Sequence, residues 1–207
     1  MNQPPVIDCK PDGPYLVSNL EDLRDAAGAA ITAKPVMALC RCGGSANKPF
    51  CDGTHAKNGF SGARLADGST DKRDSYAGKG IVIHDNRSIC AHAGRCTDGL
   101  GTVFKYKSEP WIDPAGGGVE AIVDTVRSCP SGALSYTLDG VEGPDDASEP
   151  SITVSKDGPY EVAGAVQLPG VQWAKGAASG RFTLCRCGAS RNKPFCDGTH
   201  WSVGFKG

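Results

Sequence analysis

One segment of seventeen residues occurs twice in this chain, at residues 39–55 and again at residues 184–200. The first copy reads LCRCGGSANKPFCDGTH and the second reads LCRCGASRNKPFCDGTH. The two copies differ only at positions 44/189 and 46/191, and the offset between them is 145 residues. A repeat of this length constrains the fold more strongly than any other feature, because both copies must adopt the same structure.

The same offset relates residues on both sides of the repeated segment. The sequence DGPY at residues 12–15 returns at 157–160, and GF at residues 59–60 returns at 204–205. A constant offset over about fifty residues indicates a duplicated small domain, not a short motif that occurs twice by chance.

The stretches between the two copies divide the chain further. Residues 64–78 are polar and glycine-rich and residues 139–150 are acidic with proline and glycine, which predicts two linkers. The stretch between them, 79–138, is predicted to be a separate middle module. With copy 1 at residues 1–63 and copy 2 at residues 151–207, the duplication surrounds this module.

Composition narrows the class of protein. The hydrophobic fraction is 39% and the chain contains ten cysteines, so its small domains are expected to depend on metals or disulfides for stability. The first residues resemble no secretory signal, and we expect a cytoplasmic protein, where clustered cysteines more often bind metal. A net charge of −1 and the lack of a long apolar run predict neither nucleic acid nor membrane as a partner.

The repeated segment carries a metal-ligand pattern, C-x-C-x8-C-x3-H. Cysteines two apart on a strand share one face, and a cysteine and a histidine four apart share one face of a helical turn. A strand ending at the first cysteines and a short helix at the CDGTH sequence would therefore enclose one site. The predicted ligands are Cys40, Cys42, Cys51 and His55 in copy 1, and Cys185, Cys187, Cys196 and His200 in copy 2.

Other residues of the repeat are expected to support these ligands. Asp52 is predicted to cap the helix that carries His55, and Lys48 is a predicted hydrogen-bond donor near the metal, with Asp197 and Lys193 as their counterparts. Residues 19–30 have helical propensity, but the aligned stretch 164–175 contains Pro169 and Gly170. Because both copies should share one fold, we predict a loop or strand there in place of a helix.

The spacing by itself leaves three other interpretations of the cysteines. They could form a small hydrophobic core, or disulfides that leave one cysteine over in each copy, or a structural zinc site with three cysteines and one histidine. Zinc is the strongest of these, although its cysteine pairs are usually separated by two to four residues and Cys40 and Cys42 are separated by one.

The repeated segments resemble the CDGSH-type iron–sulfur family, also called NEET, with Thr54 and Thr199 in place of the serine. The resemblance covers roughly residues 12–60 and 157–205. It implies one 2Fe–2S cluster per copy, held by three cysteines and one histidine. Because single-motif members form homodimers, it also implies a monomer in which the two copies form an internal pseudo-dimer. The matching residues of copy 1 are Cys40, Cys42, Ser45, Pro49, Cys51, Asp52, Gly53 and His55.

The middle module carries a third cysteine set. Cys90 and Cys96 match the outer cysteines of the bacterial ferredoxin pattern C-x2-C-x2-C, and Cys129 with Pro130 matches the remote C-P. A strand over 80–84, a helix over 119–127 and a closing strand over 133–138 are predicted around them. Most of the module resembles the divergent single-cluster ferredoxin family.

Ala93 occupies the position of the middle cysteine in that pattern. Three cysteines would suit a 3Fe–4S cluster, which lacks one iron. A 4Fe–4S cluster would need another ligand, and His92 is adjacent to the vacant position, whereas His84 and Cys9 are more distant in sequence. A ferredoxin fold that has lost its cluster is the remaining interpretation.

These observations predict an α+β, small β-rich protein that is an electron carrier and not an enzyme. Imidazole is a neutral ligand that can be protonated, so it raises the potential of a cluster and weakens its hold at low pH. A redox partner protein is therefore expected. The alternatives are cluster storage, transfer to an apo-iron–sulfur acceptor, or redox sensing, a zinc-stabilised interaction module, and a subunit that supplies electrons to an enzyme.

Overall fold

The computed structural model describes residues 3–144 and 148–207. Residues 145–147 of the predicted linker 139–150, and the first two residues of the predicted domain 1–63, lie outside this range. The strands within it are β1 (Val6–Cys9), β2 (Tyr15–Ser18), β3 (Asp22–Arg24), β4 (Val36–Leu39), β5 (Asp74–Ala77), β6 (Ile81–Asp85), β7 (Leu134–Leu138), β8 (Val141–Glu142), β9 (Ser151–Val154), β10 (Tyr160–Ala163) and β11 (Arg181–Leu184).

The helices are short. They are α1 (Arg95–Gly99), α2 (Val119–Arg127) and α3 (Thr199–Ser202), with 3-10 turns at Thr54–Ala56, Arg87–Ile89 and Pro114–Gly116. The predicted α+β, β-rich class is confirmed. No helix formed by residues 3–144 or 148–207 has the length and apolar character needed to cross a bilayer.

Each copy of the repeat forms a small antiparallel sheet ahead of its cysteines. In copy 1 the order is β1-β2-β4, and Tyr15 lies opposite Leu39. Along β2 buried and half-buried side chains alternate, so Tyr15 and Val17 face the core. In copy 2 the strands β9, β10 and β11 repeat this arrangement. The predicted strands before Cys40 and Cys185 are confirmed, and both end at the leucine that precedes the cysteine.

The two copies exchange segments across their sheets. β3 of copy 1 pairs in parallel with β9 of copy 2, with Leu23 opposite Ile152. In the other direction, Gln167 forms a parallel bridge with Val6, and the Ile7 N–H donates to the Gln167 carbonyl at 2.8 Å. The strand at β3 bears out the prediction of a loop or strand over 19–30.

Two buried tyrosines join the copies at their centre. The Tyr15 hydroxyl donates to the carbonyl of Cys185 at 2.9 Å and to that of Pro194 at 3.0 Å. Tyr160 reciprocates with bonds of 2.9 Å to the carbonyl of Cys40 and to that of the matching proline. The two rings meet edge to face at 6.1 Å. The copies therefore pack on each other as a pseudo-dimer within one chain.

The middle module is a four-stranded sheet, ordered β5-β6-β7-β8, with α2 packed against β7. Ile122 and Val126 are buried on the inner face of that helix, as expected of an amphipathic helix. The predicted helix over 119–127 is confirmed, and the predicted strands correspond to β6 and β7.

The predicted linkers are too long at both places where they adjoin the middle module. β5 lies within 64–78 and β8 lies within 139–150, and both are edge strands of the module's sheet. Edge strands expose polar side chains and need few apolar residues, so their composition resembles that of a linker. Tyr76 of β5 packs edge to face on Trp111 at 6.5 Å, which fixes this strand to the module.

The middle module packs against copy 2. The guanidinium of Arg181 donates to the carbonyls of Arg127 and Leu134, each at 3.2 Å. The side-chain amide of Asn192 donates to the Ser88 carbonyl at 2.8 Å. These bonds attach the module to the strand and to the loop that lead to the cysteines of copy 2.

Candidate metal centres

The four predicted ligands of copy 1 lie together as two pairs. Cys40 and Cys42 follow the end of β4, and their sulfur atoms are 3.9 Å apart. Cys51 precedes a 3-10 turn that carries His55, and the Cys51 sulfur is 3.3 Å from His55 Nδ1. Nδ1 is therefore the nitrogen that faces the site.

Copy 2 reproduces this geometry. The sulfur atoms of Cys185 and Cys187 are 3.8 Å apart, and the Cys196 sulfur is 3.4 Å from His200 Nδ1. The turn that carries this histidine is the short helix α3. The eight residues that the repeated spacing predicted as ligands thus form the same two pairs in each copy.

The distances within the pairs can be compared with those between two ligands of one metal. Two sulfur ligands of one tetrahedral metal lie roughly 3.8 Å apart when the metal–sulfur bonds are about 2.3 Å. The Cys40–Cys42 and Cys185–Cys187 pairs have this separation. Across the described part of the chain, however, no three His, Cys, Asp or Glu side chains converge to hold a single metal ion. Each copy therefore offers its ligands as two pairs, one of two cysteines and one of a cysteine with a histidine, and this donor set fits an iron–sulfur group.

Polar residues of the repeat fix the loop around the ligands. The Ser45 hydroxyl donates to the Phe50 carbonyl at 2.7 Å, and the Lys48 ammonium donates to the Ser45 carbonyl at 2.8 Å. Lys193 makes the matching bond in copy 2, at 2.6 Å. Both lysines were predicted to donate near the metal, and in the structure their ammonium groups bind a loop carbonyl.

Asp52 also differs from its predicted position. The residue that caps the turn is Gly53, with φ of 87°, and the predicted helix is one 3-10 turn. Asp52 instead accepts from the Thr54 N–H at 3.0 Å and from the Ala46 N–H at 2.8 Å. Hydrogen bonding from the Thr54 side chain, followed by these two N–H bonds, holds the pKa of Asp52 well below its usual value. Asp197 makes the equivalent bonds in copy 2.

Backbone N–H groups point at the cysteine sulfur atoms. The Gly44 N–H donates to the Cys42 sulfur and the Gly53 N–H to the Cys51 sulfur, each at 3.4 Å. The same bonds recur at both matching cysteines of copy 2. Donors two residues after a ligand favour thiolate over thiol. The donors Gly44 and Ala189 lie in a turn of small residues after Cys42 and Cys187, and this turn is the signal that could have predicted them.

The two sites differ in their exposure to solvent, although their sequences are nearly identical. His200 is 4% exposed and Cys196 is 3% exposed, whereas His55 and Cys51 are half-buried. Burial raises the pKa of the Cys196 thiol to about 12. A thiol with that pKa is neutral at pH 7 until a metal cation displaces its proton.

The third cysteine set lines a cavity of about 970 Å³ between the middle module and copy 2. Cys90, Cys96 and Cys129 all face it, and burial raises the pKa of Cys90 to about 11. Ala93 lines the same cavity, as expected for a position without a ligand. The opposite wall comes from copy 2, through residues that include Gly198.

Of the three further ligands considered for this set, only His92 reaches the cavity. It has a φ of 53°, and its carbonyl accepts from Trp201 Nε1 at 3.2 Å. His84 is elsewhere, since its ring nitrogens are bonded at 2.8 Å to the hydroxyls of Ser75 and Thr137. Cys9 lies in β1, in a strand and not in a loose terminus.

Three stretches of the chain match known protein families. Residues 12–56 and 157–201 match the family described as iron-binding zinc finger, CDGSH type. Residues 76–139 match the family described as divergent 4Fe–4S mono-cluster.

A stretch of 61 residues is also 43% identical to the uncharacterised protein YjdI of Escherichia coli strain K12. This match covers 30% of the chain and 80% of that protein, and the protein of the same name from strain O157:H7 gives the same values. No solved structure matches the chain.

Proposed function

Because the chain belongs to the CDGSH-type iron-binding family and carries a divergent 4Fe–4S mono-cluster domain between its two CDGSH domains, we propose that it is an electron carrier with three iron–sulfur sites. The observation that carries the proposal is the pairing of the ligands, since the 3.9 Å and 3.3 Å separations fit two metals per copy.

In each copy the first two cysteines would hold one iron, and the third cysteine with the histidine would hold the other. Iron–sulfur clusters supply one-electron storage at potentials set by their ligands. The protein itself would supply the thiolates, a neutral imidazole and the N–H donors. The N–H groups of Gly44 and Gly53 stabilise negative charge on the sulfur atoms of copy 1.

For the middle module we propose a 3Fe–4S cluster held by Cys90, Cys96 and Cys129. Ala93 on the cavity wall, where a fourth cysteine would lie, supports this count. The alternative is a 4Fe–4S cluster with His92 as the fourth ligand. Two observations favour it: His92 lines the same cavity, and the matching family is described as a divergent 4Fe–4S mono-cluster.

Metal and sulfide analysis of the anaerobically purified chain, combined with reductive titration, tests the proposed function. We expect about seven irons per chain, or about eight with a 4Fe–4S cluster, and visible absorption that bleaches reversibly on reduction. About four irons would mean that the middle module holds no cluster. Zinc in a colourless protein would contradict the proposal, as would clusters that no reductant reduces reversibly.

Cluster storage and transfer is a second candidate, because the site of copy 1 is half open. Cys51 and His55 are half-buried, and a cluster held there would have one face near solvent. The partner would then be an apo-iron–sulfur protein in place of a redox protein. Transfer to apo-ferredoxin faster than any electron exchange with a redox partner would favour this function.

The difference in burial predicts that the two CDGSH sites lose their iron at different rates. With excess of a membrane-impermeant, water-soluble chelator such as bathophenanthroline disulfonate, copy 1 is expected to release iron several-fold faster than copy 2. The physical reason is that His55 is half-buried while His200 is 4% exposed. The measurement is iron release over time in the intact chain and in Cys51→Ser and Cys196→Ser variants, each of which leaves one CDGSH site. Equal rates in the two variants would contradict the prediction.

The proposed location is the cytoplasm, and the proposed role is that of a carrier and not of an enzyme. None of the ten cysteines, all of which lie within residues 3–144 and 148–207, is in a disulfide, and this agrees with a reducing compartment. The partner would be a redox protein that delivers or receives single electrons. An oxidoreductase to which the chain supplies electrons is one such partner.

A further inference from the structure

The order of the three sites in space differs from their order in the sequence. The middle module lies between the copies in sequence, but its contacts described above are with copy 2, through Arg181 and Asn192. The segment leading into the module is attached to copy 2 as well, because the N–H groups of Leu65 and Ala66 both donate to the Arg191 carbonyl at 2.8 Å. Copy 2 is therefore in contact with the other two sites.

One contact joins the ligand loop of the middle module to that of copy 2. A Cβ atom added at Gly198 would lie 2.3 Å from His92 Cδ2, so the imidazole of His92 rests directly on the Gly198 backbone. His92 is two residues after Cys90, and Gly198 is two residues from both Cys196 and His200. Trp201 adds a second link through its hydrogen bond to the His92 carbonyl.

Copy 1 lacks the equivalent contact. Its matching glycine is Gly53, and a Cβ atom added there would meet nothing within 4 Å. The turn after Cys51 is open to solvent at the position where the middle module covers copy 2. The docking of the module thus distinguishes two sites that the sequence repeats almost without change.

A second contact joins the ligand loops of the two copies. The backbones of Cys42 and Cys187 pair in an antiparallel bridge. A Cβ atom on Gly43 would lie 2.6 Å from the Cys187 carbonyl oxygen, and a Cβ atom on Gly188 would lie 2.6 Å from that of Cys42. Only glycine permits this approach, so the two ligand loops contact each other through their backbones.

From these contacts we infer that copy 2 is the central site of a linear relay, in which electrons pass between the middle module and copy 1 only through copy 2. The inference rests on the proposed function and adds a route to it. The His92–Gly198 contact forms the first step, and the Cys42–Cys187 bridge forms the second. Copy 1, with its open turn, is the end of the relay at which a partner protein exchanges electrons.

Each step of the relay moves one electron and no atom. A one-electron donor protein would supply the electrons at one end of the relay. In each transfer between sites, one site would be oxidised by one electron and its neighbour reduced by one electron. A one-electron acceptor protein at the other end completes the balance. Dithionite replaces the donor in the test below.

Magnetic coupling between the sites tests the route in the full-length holoprotein. The middle site is observed, during a potentiometric titration with dithionite, in the paramagnetic oxidation state that it keeps while the CDGSH sites are reduced. Power saturation of its electron paramagnetic resonance signal, recorded in perpendicular or parallel mode as its spin requires, is measured just above and just below the potential at which the CDGSH sites become reduced and paramagnetic. We expect reduction to speed the relaxation of this signal. The enhancement should be lost in Cys196→Ser, which removes the cluster of copy 2, and retained in Cys51→Ser, which removes that of copy 1. Loss in Cys51→Ser with retention in Cys196→Ser would overturn the inference.

A pair of alanine variants tests the contact without removing a ligand. Gly198 and Gly53 have φ values of 81° and 87°, so alanine strains both turns alike. Only Gly198→Ala displaces His92. The relaxation enhancement is expected to fall in Gly198→Ala and to stay at the wild-type value in Gly53→Ala, and equal values in the two variants would overturn the inference.

The outcomes separate this inference from the proposed function. If no site is reduced reversibly, the electron carrier itself is excluded and the relay with it. If all three sites are reduced reversibly but the middle signal does not respond to the state of copy 2, the carrier stands and the route through copy 2 is wrong.

Discussion

Replacement of both His55 and His200 by cysteine is expected to lower the midpoint potentials of the two CDGSH sites by on the order of 100 mV or more while the sites stay filled. The Nδ1 atoms of these histidines lie 3.3 Å and 3.4 Å from the sulfur atoms of Cys51 and Cys196, where a thiolate could take their place. Thiolate adds negative charge to the site, which stabilises the oxidised state. The potentials are measured by redox titration followed by visible absorption.

The matched control is His84→Gln. His84 is hydrogen-bonded to Ser75 and Thr137 in the sheet of the middle module, away from the ligands of both copies. Its replacement is expected to leave the two potentials unchanged. If the double cysteine variant also keeps the wild-type potentials, neither His55 nor His200 is a ligand.

The second large effect is on stability. The double variant Tyr15→Phe with Tyr160→Phe removes the hydroxyls that bind the carbonyls of Cys185 and Cys40 across the pseudo-dimer. Leaving these two buried carbonyls without partners costs about 2 to 6 kcal/mol, at about 1 to 3 kcal/mol each. That is a large fraction of the roughly 5 to 15 kcal/mol by which domains are stable. Urea denaturation of the loaded protein, followed by visible circular dichroism, measures the change.

Tyr106→Phe serves as the control for that variant. Tyr106 is 76% exposed in the middle module, so loss of its hydroxyl should leave the denaturation midpoint within error of wild type. A double variant as stable as this control would mean that the two copies do not depend on the tyrosine contacts for their association.

The ligand sets could be predicted from sequence because their geometry is local. The spacing of Cys40 and Cys42 places two sulfur atoms on one side of an extended backbone, and the spacing of Cys51 and His55 fits one helical turn. Neither relation depends on the rest of the fold. The helix α2 was predictable for the same reason, since its apolar residues repeat along one face.

The relations between the modules could not be predicted in this way. Alternation of buried residues indicates that β3 is a strand, but it does not say whose sheet the strand joins. The difference in burial between the sites of the two copies could not be predicted from sequence for a related reason. The groups that attach the middle module to copy 2 include the Ser88 and Arg191 carbonyls, and backbone groups are the same in every sequence.

The exchange of strands has a consequence for the order in which the chain can fold during synthesis. β3 ends at Arg24 and its partner β9 begins at Ser151, so the middle module leaves the ribosome before copy 1 can complete its pairing. Copy 1 must remain unfinished until copy 2 has been made. The middle module, whose strands all pair within 74–142, can fold meanwhile. Early folding of the middle module would shorten the effective loop between copy 1 and copy 2. It would thereby keep the incomplete copy 1 close to copy 2 as copy 2 is synthesised.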